Sequence, residues 1–249
     1  MESLKVWGAA GAVALAAATL TPHDVEAALL ASPDDNSGPV AVGTEDNDLI
    51  DNNTPGFFGA QIFVTDLTRE LKFTFRGMEA GFHNAFGFDL DGDGNFFNQS
   101  ETVFSFSDQK TGLIDGPSFV IDVSSLGLVF DDDVGGYLLP FAFATWEDNP
   151  SDPAVDAPVA SAVNGTNPDS DPDVNFFTSF GPSGTWGDGT STGNRLVLLF
   201  DDNGNQDDDN HDDFAVEIAV TPLPAAAWFL ITALGGLFGM RWLRGRNEA

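Results

Sequence analysis

The chain has 249 residues, with 39 acidic against 9 basic side chains and no cysteine. A formal net charge of −30 leaves no basic face for phosphate, which excludes ordinary nucleic-acid binding. The lack of cysteine excludes a disulfide framework, a thiol nucleophile and Cys-ligated zinc or iron–sulfur sites, while 23 phenylalanines supply a real core that a disordered acidic tail would lack.

Residues 1–27 have the order of a secretory signal peptide. A short start carries Lys5, an uncharged Ala-rich run covers 6–20, and Val25-Glu26-Ala27 puts small residues where a signal peptidase cuts. Residues 32–53 are polar and predict an irregular N-terminal arm. Short apolar or alternating runs follow at 60–64, 71–76, 85–90, 102–106, 119–123, 126–130, 137–145, 174–180, 196–200 and 214–220. Clean period-two alternation, as in Leu71-Lys72-Phe73-Thr74-Phe75-Arg76, predicts half-buried strands. No stretch between 28 and 221 shows a sustained 3.6-residue apolar period with caps. Residues 28–221 therefore read as one all-β ectodomain, a β-sandwich or jelly roll, between an N-terminal signal helix and a C-terminal helix described below. Five prolines among Asp and Ala make 149–173 a long loop, and 187–194 a Gly/Ser/Thr loop without the strand-to-helix context of a phosphate cradle.

Two acidic clusters carry the chemistry. Asp89, Asp91 and Asp93 occupy positions 1, 3 and 5 of a loop, Gly94 stands at 6, and Asn95 at 7 is expected to offer its carbonyl, as in the first half of a calcium loop. Alternate residues of a curling loop direct their oxygens inward, and a hard divalent ion relieves the repulsion between them. Ser100 occupies position 12, where an EF-hand has its bidentate Glu, and Glu101 is one residue later. With strands expected on both sides, the pattern predicts a strand-flanked DxDxDG loop; its alternative is a solvated Asp/Gly turn. Asp131-Asp132-Asp133 before Gly135-Gly136 reads as a polar hairpin turn.

The second cluster runs from Asp201 to Asp213 into the last strand. Its order is an aromatic-acidic pair, a glycine-containing loop, Asp-x-Asp and an Asp pair before an apolar strand. In this it resembles the C-terminal hairpin of a bacterial surface domain of unknown function. The resemblance makes Asp207, Asp209, Asp212 and Asp213 the matching acidic positions and implies a surface, calcium-related role. The alternative is a charged edge hairpin that blocks aggregation. His211 and His83, without a second His or Cys nearby, do not make a zinc site, and His211 reads as an exposed loop histidine.

From Ile218 to Met240 no charge occurs for 23 residues, and Arg241, Arg244 and Arg246 follow. Pro222 and Pro224 place the helix start near Ala225, and 18 residues from there span about 27 Å, a bilayer crossing if the arginines snorkel. The basic cluster puts that end in the cytoplasm and the acidic middle outside. Pro222-Leu223-Pro224-Ala225, the apolar run and the arginines together resemble the VPLPA type of PEP-CTERM sorting signal of Gram-negative surface proteins, with Thr221 where that family has Val. The resemblance covers 222–249. It implies a substrate of an exosortase-type transpeptidase, held transiently in the inner membrane and passed to the cell surface or exopolysaccharide matrix of a biofilm.

The combined expectation is an exported surface protein whose calcium-bound β-sandwich sets rigid outside the cell, without enzymatic activity. No GxSxG, HExxH or GxxxxGK(S/T) pattern occurs. A calcium-dependent carbohydrate-binding module is the alternative, with Trp146, Trp186 or Tyr137 stacking on extracellular polysaccharide; core packing or loop anchoring is the other reading of both tryptophans. A glycan hydrolase is a third class, since it needs only two carboxylates.

Overall fold

The structure is a computed structural model and describes residues 28–33, 38–41, 47, 49–51, 53–107, 116–147, 156–167, 174–181, 191–202 and 211–221. In chain order the strands are β1 (Leu29–Pro33), β2 (Val40–Ala41), β3 (Pro55–Phe58), β4 (Ala60–Val64), β5 (Glu70–Gly77), β6 (His83–Phe88), β7 (Thr102–Ser107) and β8 (Ser118–Asp122). There follow β9 (Phe130–Asp131), β10 (Gly136–Leu138), β11 (Phe141–Trp146), β12 (Ala160–Val163), β13 (Asn175–Ser179), β14 (Ser191–Gly193), β15 (Arg195–Asp201) and β16 (Phe214–Val220). Among the described residues helix is limited to the 3-10 turn Val123–Ser125 and the 3-10 residue Gly181, so they are all-β as the alternation predicts. No helix of these residues is long and apolar enough to cross a membrane. The expected signal segment 1–27 and the sorting segment 222–249, with Pro222, Leu223, Pro224, Ala225, Arg241, Arg244 and Arg246, lie outside the described residues.

The strands form three antiparallel sheets, in the orders β14-β1-β4-β10-β9, β12-β11-β6-β7 and β2-β3-β13-β15-β16-β5-β8. Alternation decides which side chains enter the core. Leu71, Phe73 and Phe75 of β5 are buried, while Lys72 between them is exposed. On β11, Phe141 and Phe143 face one way and Ala142, Ala144 and Trp146 the other. The four- and seven-stranded sheets meet through phenylalanine. Phe143 stacks on Phe200 with centroids 4.9 Å apart and planes within 10° of parallel, and Phe73 meets Phe86 at 5.7 Å and Phe88 at 5.3 Å. Such ring pairs add about 0.5–1.5 kcal/mol each beyond the area they bury. Leu29, Ala31, Ile62 and Val64 of the five-stranded sheet close the same core.

Both outer faces are also covered. Leu49 and Ile50 lie over Phe177, Leu199 and Ala215 of the seven-stranded sheet, and Phe96 and Phe97 lie over Ala85, Ala142, Ala144 and Trp146 of the four-stranded one.

Five expectations need correction. Residues 191–193 of the expected 187–194 loop form β14, held in place by pairing with β1. The run 137–145 is two strands, not one, because Pro140 has no N–H for a ladder and the chain changes sheet there, from β10 to β11. Residues 126–130 contribute only Phe130 to a strand, and Val129 is exposed. The polar arm starts in a strand, since β1 lies between β4 and β14. The proline-rich stretch 149–173 contains β12 and two buried asparagines that stand in for peptide groups. Asn164 exchanges two 2.8 Å hydrogen bonds with the backbone of Ile62, and Asn167 likewise accepts from the Phe176 N–H at 2.9 Å and donates to its carbonyl at 2.8 Å.

Phe143 touches rings from both sheets, so Phe143→Ala opens a cavity where they meet. Chemical denaturation of the variant is expected to show a loss of about 3–5 kcal/mol.

Candidate metal centre

The first acidic loop is shaped by its own sequence. It leaves the end of β6, where the Asp89 N–H donates to the Pro140 carbonyl at 3.0 Å. The Phe88 N–H donates to the Glu101 carbonyl at 3.0 Å and fixes the far end of the loop beside the near end. Gly92 and Gly94 both adopt φ +80°, which only glycine takes without strain. Their N–H groups donate to the two carboxylate oxygens of Asp89, at 2.6 and 3.0 Å. Asp91, Asp93 and Asn95 each accept the N–H two residues on.

Glu101 enters from the opposite side. Its Oε1 accepts from the N–H groups of Leu90 at 2.8 Å and Asp91 at 3.3 Å, and its Oε2 accepts from the Asn98 amide. Asn98 caps this turn by accepting from the N–H groups of Ser100 and Glu101. The turn absorbs the extra residue by which Glu101 departs from an EF-hand.

The result is that Asp89, Asp91, Asp93 and Glu101 each present an oxygen within 4.8 Å of all the others. Oxygens on opposite sides of a calcium ion, each about 2.3–2.6 Å from it, are about 5 Å apart, so this spread fits one ion. Asp89 and Glu101 are buried, whereas Asp91, Asp93 and Asn95 are exposed, so the loop has a fixed inner rim and an outer rim open to solvent. Phe97 anchors the loop edge-on against Trp146, with centroids 5.6 Å apart. Gly87 permits that approach: a Cβ there would sit 1.9 Å from the Phe96 carbonyl oxygen.

The second cluster differs from its expected form. Asp213 is in the predicted set, but its neighbours are Asp201 and Asp202, whose oxygens also lie within 4.8 Å of one another and of Asp213. All three are buried. Pairing of Phe200 with Phe214 at the end of the β15–β16 hairpin sets the residues just beyond each strand opposite one another. The Asp202 N–H donates to the Asp213 carboxylate at 2.9 Å, and the Asn84 amide donates to the Asp202 carboxylate at 2.6 Å. Asp212, also buried, offers its carbonyl to the Glu79 N–H at 2.8 Å and is not part of the trio. Asp207 and Asp209 lie outside the described residues.

Among the described residues two groups of carboxylates could thus hold a metal ion, one at each end of β6. The five steps along the strand from Asn84 to Asp89 span about 17 Å, so the centres are separate.

His211 is not the exposed loop histidine expected. His211 is buried against the rings of Phe58 and Phe177, pairs with Asn175 at 2.7 Å and adopts φ 57°. Burial pushes its pKa down to about 4. His83 is buried too, and its Nε2 bonds Ser105 Oγ at 2.6 Å. Apolar neighbours on the outer faces, invisible to a reading of local polarity, cause both. Of the possible sugar platforms, Trp146 is buried with its indole N–H given to the Asp156 carbonyl, Tyr137 is half-buried against Phe130, and Trp186 lies outside the described residues. Asp131 accepts from Asp133 and Val134 in the expected β9–β10 turn.

No family model matches the chain, and neither the curated proteins nor the solved structures compared with it include a significant match.

Burial, followed by the charge of Asp202 and with Asp201 and Asp212 adding to it, pushes the Asp213 carboxyl up to about 9. The folded state therefore keeps a proton that the unfolded chain has lost above pH 4, and stability falls as pH rises towards 9. His211 acts in the opposite direction, but only below about pH 6.5, where the unfolded chain takes up a proton first. Melting in a chelating buffer between pH 6.5 and 8.5 isolates Asp213: stability is expected to drop by on the order of 1 kcal/mol per pH unit, and Asp213→Asn to flatten the slope.

Proposed function

We propose that this chain is an exported surface or matrix protein whose β-sandwich, in a jelly-roll-like arrangement, is stabilised by calcium. The observation that carries the calcium reading is the convergence of Asp89, Asp91, Asp93 and Glu101 on one point, two of them buried and already oriented by backbone N–H groups. An all-oxygen donor set with no histidine or cysteine suits a hard cation and not zinc. Calcium supplies the positive charge that holds these carboxylates together, and its chemistry here is structural. The paired faces of the seven- and four-stranded sheets support the sandwich reading.

Export and sorting rest on the sequence of the two ends. A signal-like start, the Pro222-Leu223-Pro224-Ala225 motif, an apolar run and the Arg241, Arg244, Arg246 cluster together support passage through the inner membrane and processing by an exosortase-type enzyme. The charge distribution agrees with this. Residues 28–221 hold 35 acidic and 5 basic side chains, a surface suited to a compartment where divalent ions are abundant. Extracellular calcium sites need a Kd of only about 10⁻⁴ to 10⁻³ M. An ion that binds the folded state alone adds about 2.7 kcal/mol at a hundredfold excess over Kd. The chain would leave the calcium-poor cytosol unfolded and become rigid outside.

Calcium is expected to raise the melting temperature of the purified full chain, and Asp91→Ala, which removes an exposed ligand without disturbing the core, to lower that increase. An equal calcium response in the two proteins would count against the loop. Mass spectrometry of the surface-released form is expected to find no peptide beyond Pro224; recovery of Trp242 in that form would count against sorting.

A further inference from the structure

Asn84 is an unusual residue to find in the core. It lies on β6 and faces the same side as Phe86, two residues along, towards the seven-stranded sheet. It is fully buried, and its amide nitrogen donates to the Asp202 carboxylate at 2.6 Å and makes a longer 3.4 Å contact with the Asp213 carbonyl. Its Oδ1, attached to the same carbon as that nitrogen, is buried beside the Asp202 carboxylate and accepts no hydrogen bond. Thr145, paired with Asn84 across β6 and β11, is buried with an Oγ1 that also makes none. An apolar core has no reason to keep an orphaned amide oxygen and an orphaned hydroxyl side by side, since each forfeits its hydration. Asn84 touches Asp202, one of three buried carboxylates that converge, and Thr145 lies next to Asn84 on the neighbouring strand.

From this arrangement we infer a second cation site, inside the molecule, in which Asp201, Asp202 and Asp213 supply the charge and Asn84 Oδ1 a neutral ligand, with Thr145 Oγ1 alongside. The donors are all oxygen and carry a surplus of negative charge, which selects a hard divalent ion, calcium in the proposed extracellular setting. The site bridges two layers: Asn84 and Thr145 belong to the four-stranded sheet, and the three aspartates to the β15–β16 hairpin of the seven-stranded sheet. The bound ion therefore cross-links the sandwich at the end opposite the Asp89 loop. The inference deepens the calcium reading given above but uses none of the same residues, so either can fail alone.

The test is calorimetric titration of the metal-stripped full chain with calcium chloride. The wild type is expected to bind one more ion than Asp202→Asn, and Asp91→Ala to keep the ion that Asp202→Asn loses. In chelator Asp202→Asn is expected to melt no lower than the wild type, because it removes a crowded carboxylate, yet to gain less from calcium; a purely structural aspartate would lower both values. Asn84→Ala in the Asp91→Ala background leaves every carboxylate of the trio in place and is expected to weaken the remaining ion at least tenfold. That variant also decides the matter if Asp202→Asn does not fold. Equal stoichiometry in the wild type and Asp202→Asn, an unchanged affinity in Asn84→Ala, or no ion bound by Asp91→Ala would each overturn the interior site. Loss of the ion in Asp202→Asn alone, with Asp91→Ala like the wild type, would sustain it and remove only the loop reading.

Discussion

Repulsion between carboxylates is the constraint to which the rest of the fold answers. Thirty excess negative charges oppose any compact state, and the core that overcomes them is built mostly from phenylalanine packed between two sheets. Rings such as Phe143 and Phe200 leave no space for polar groups in the middle of the sandwich. Acidic side chains accordingly gather at the ends of strands, and Glu217, in the middle of β16, is paired with Arg76 and Arg195. The two groups that come together do so where β6 starts and where it finishes. What would be a diffuse surface charge becomes two focused ones, each next to the point where the chain must turn between strands.

The two centres use different means to gather like charges. The Asp89 loop relies on backbone N–H groups: glycines in the left-handed region turn their amides onto Asp89, and the start of the loop turns its amides onto Glu101. Half of it faces water, where charge is cheaper to hold. The aspartates at the β15–β16 hairpin are dry, and there the strain falls on the protonation of Asp213. A solvated loop and an interior cluster therefore differ in how steeply their stability depends on conditions.

Much of this was legible in the residues. Alternation in 71–76, 102–106 and 214–220 places β5, β7 and β16 to within a residue or two, because one face of each strand meets a continuous apolar layer. The Asp-Gly spacing of 89–94 locates the loop, because short-range geometry alone makes it. What stays hidden depends on partners distant in the chain. The strand β12 is obscured by flanking prolines and by Asn164, which reads as a turn residue and serves instead as a peptide mimic for Ile62. Asp201 and Asp202 look like the start of a solvated run until the register of Phe200 with Phe214 folds them against Asp213. A pointer was present, since acidic residues directly abut both apolar strands of one hairpin, but nothing local distinguishes Asp213 from Asp207. Asn84 carries no signal at all, because its role is set by a hairpin more than a hundred residues away.

Phe97 ties the loop to the far side of the four-stranded sheet, and Trp146 is the residue it leans on. The indole sits between that ring and His83, shielded from water, with its N–H occupied. Any loosening of the loop would lift Phe97 and admit solvent to the indole, shifting its emission to longer wavelength. Trp146 is one of five tryptophans, so a chain in which it alone is kept would carry its own fluorophore for the state of the acidic loop.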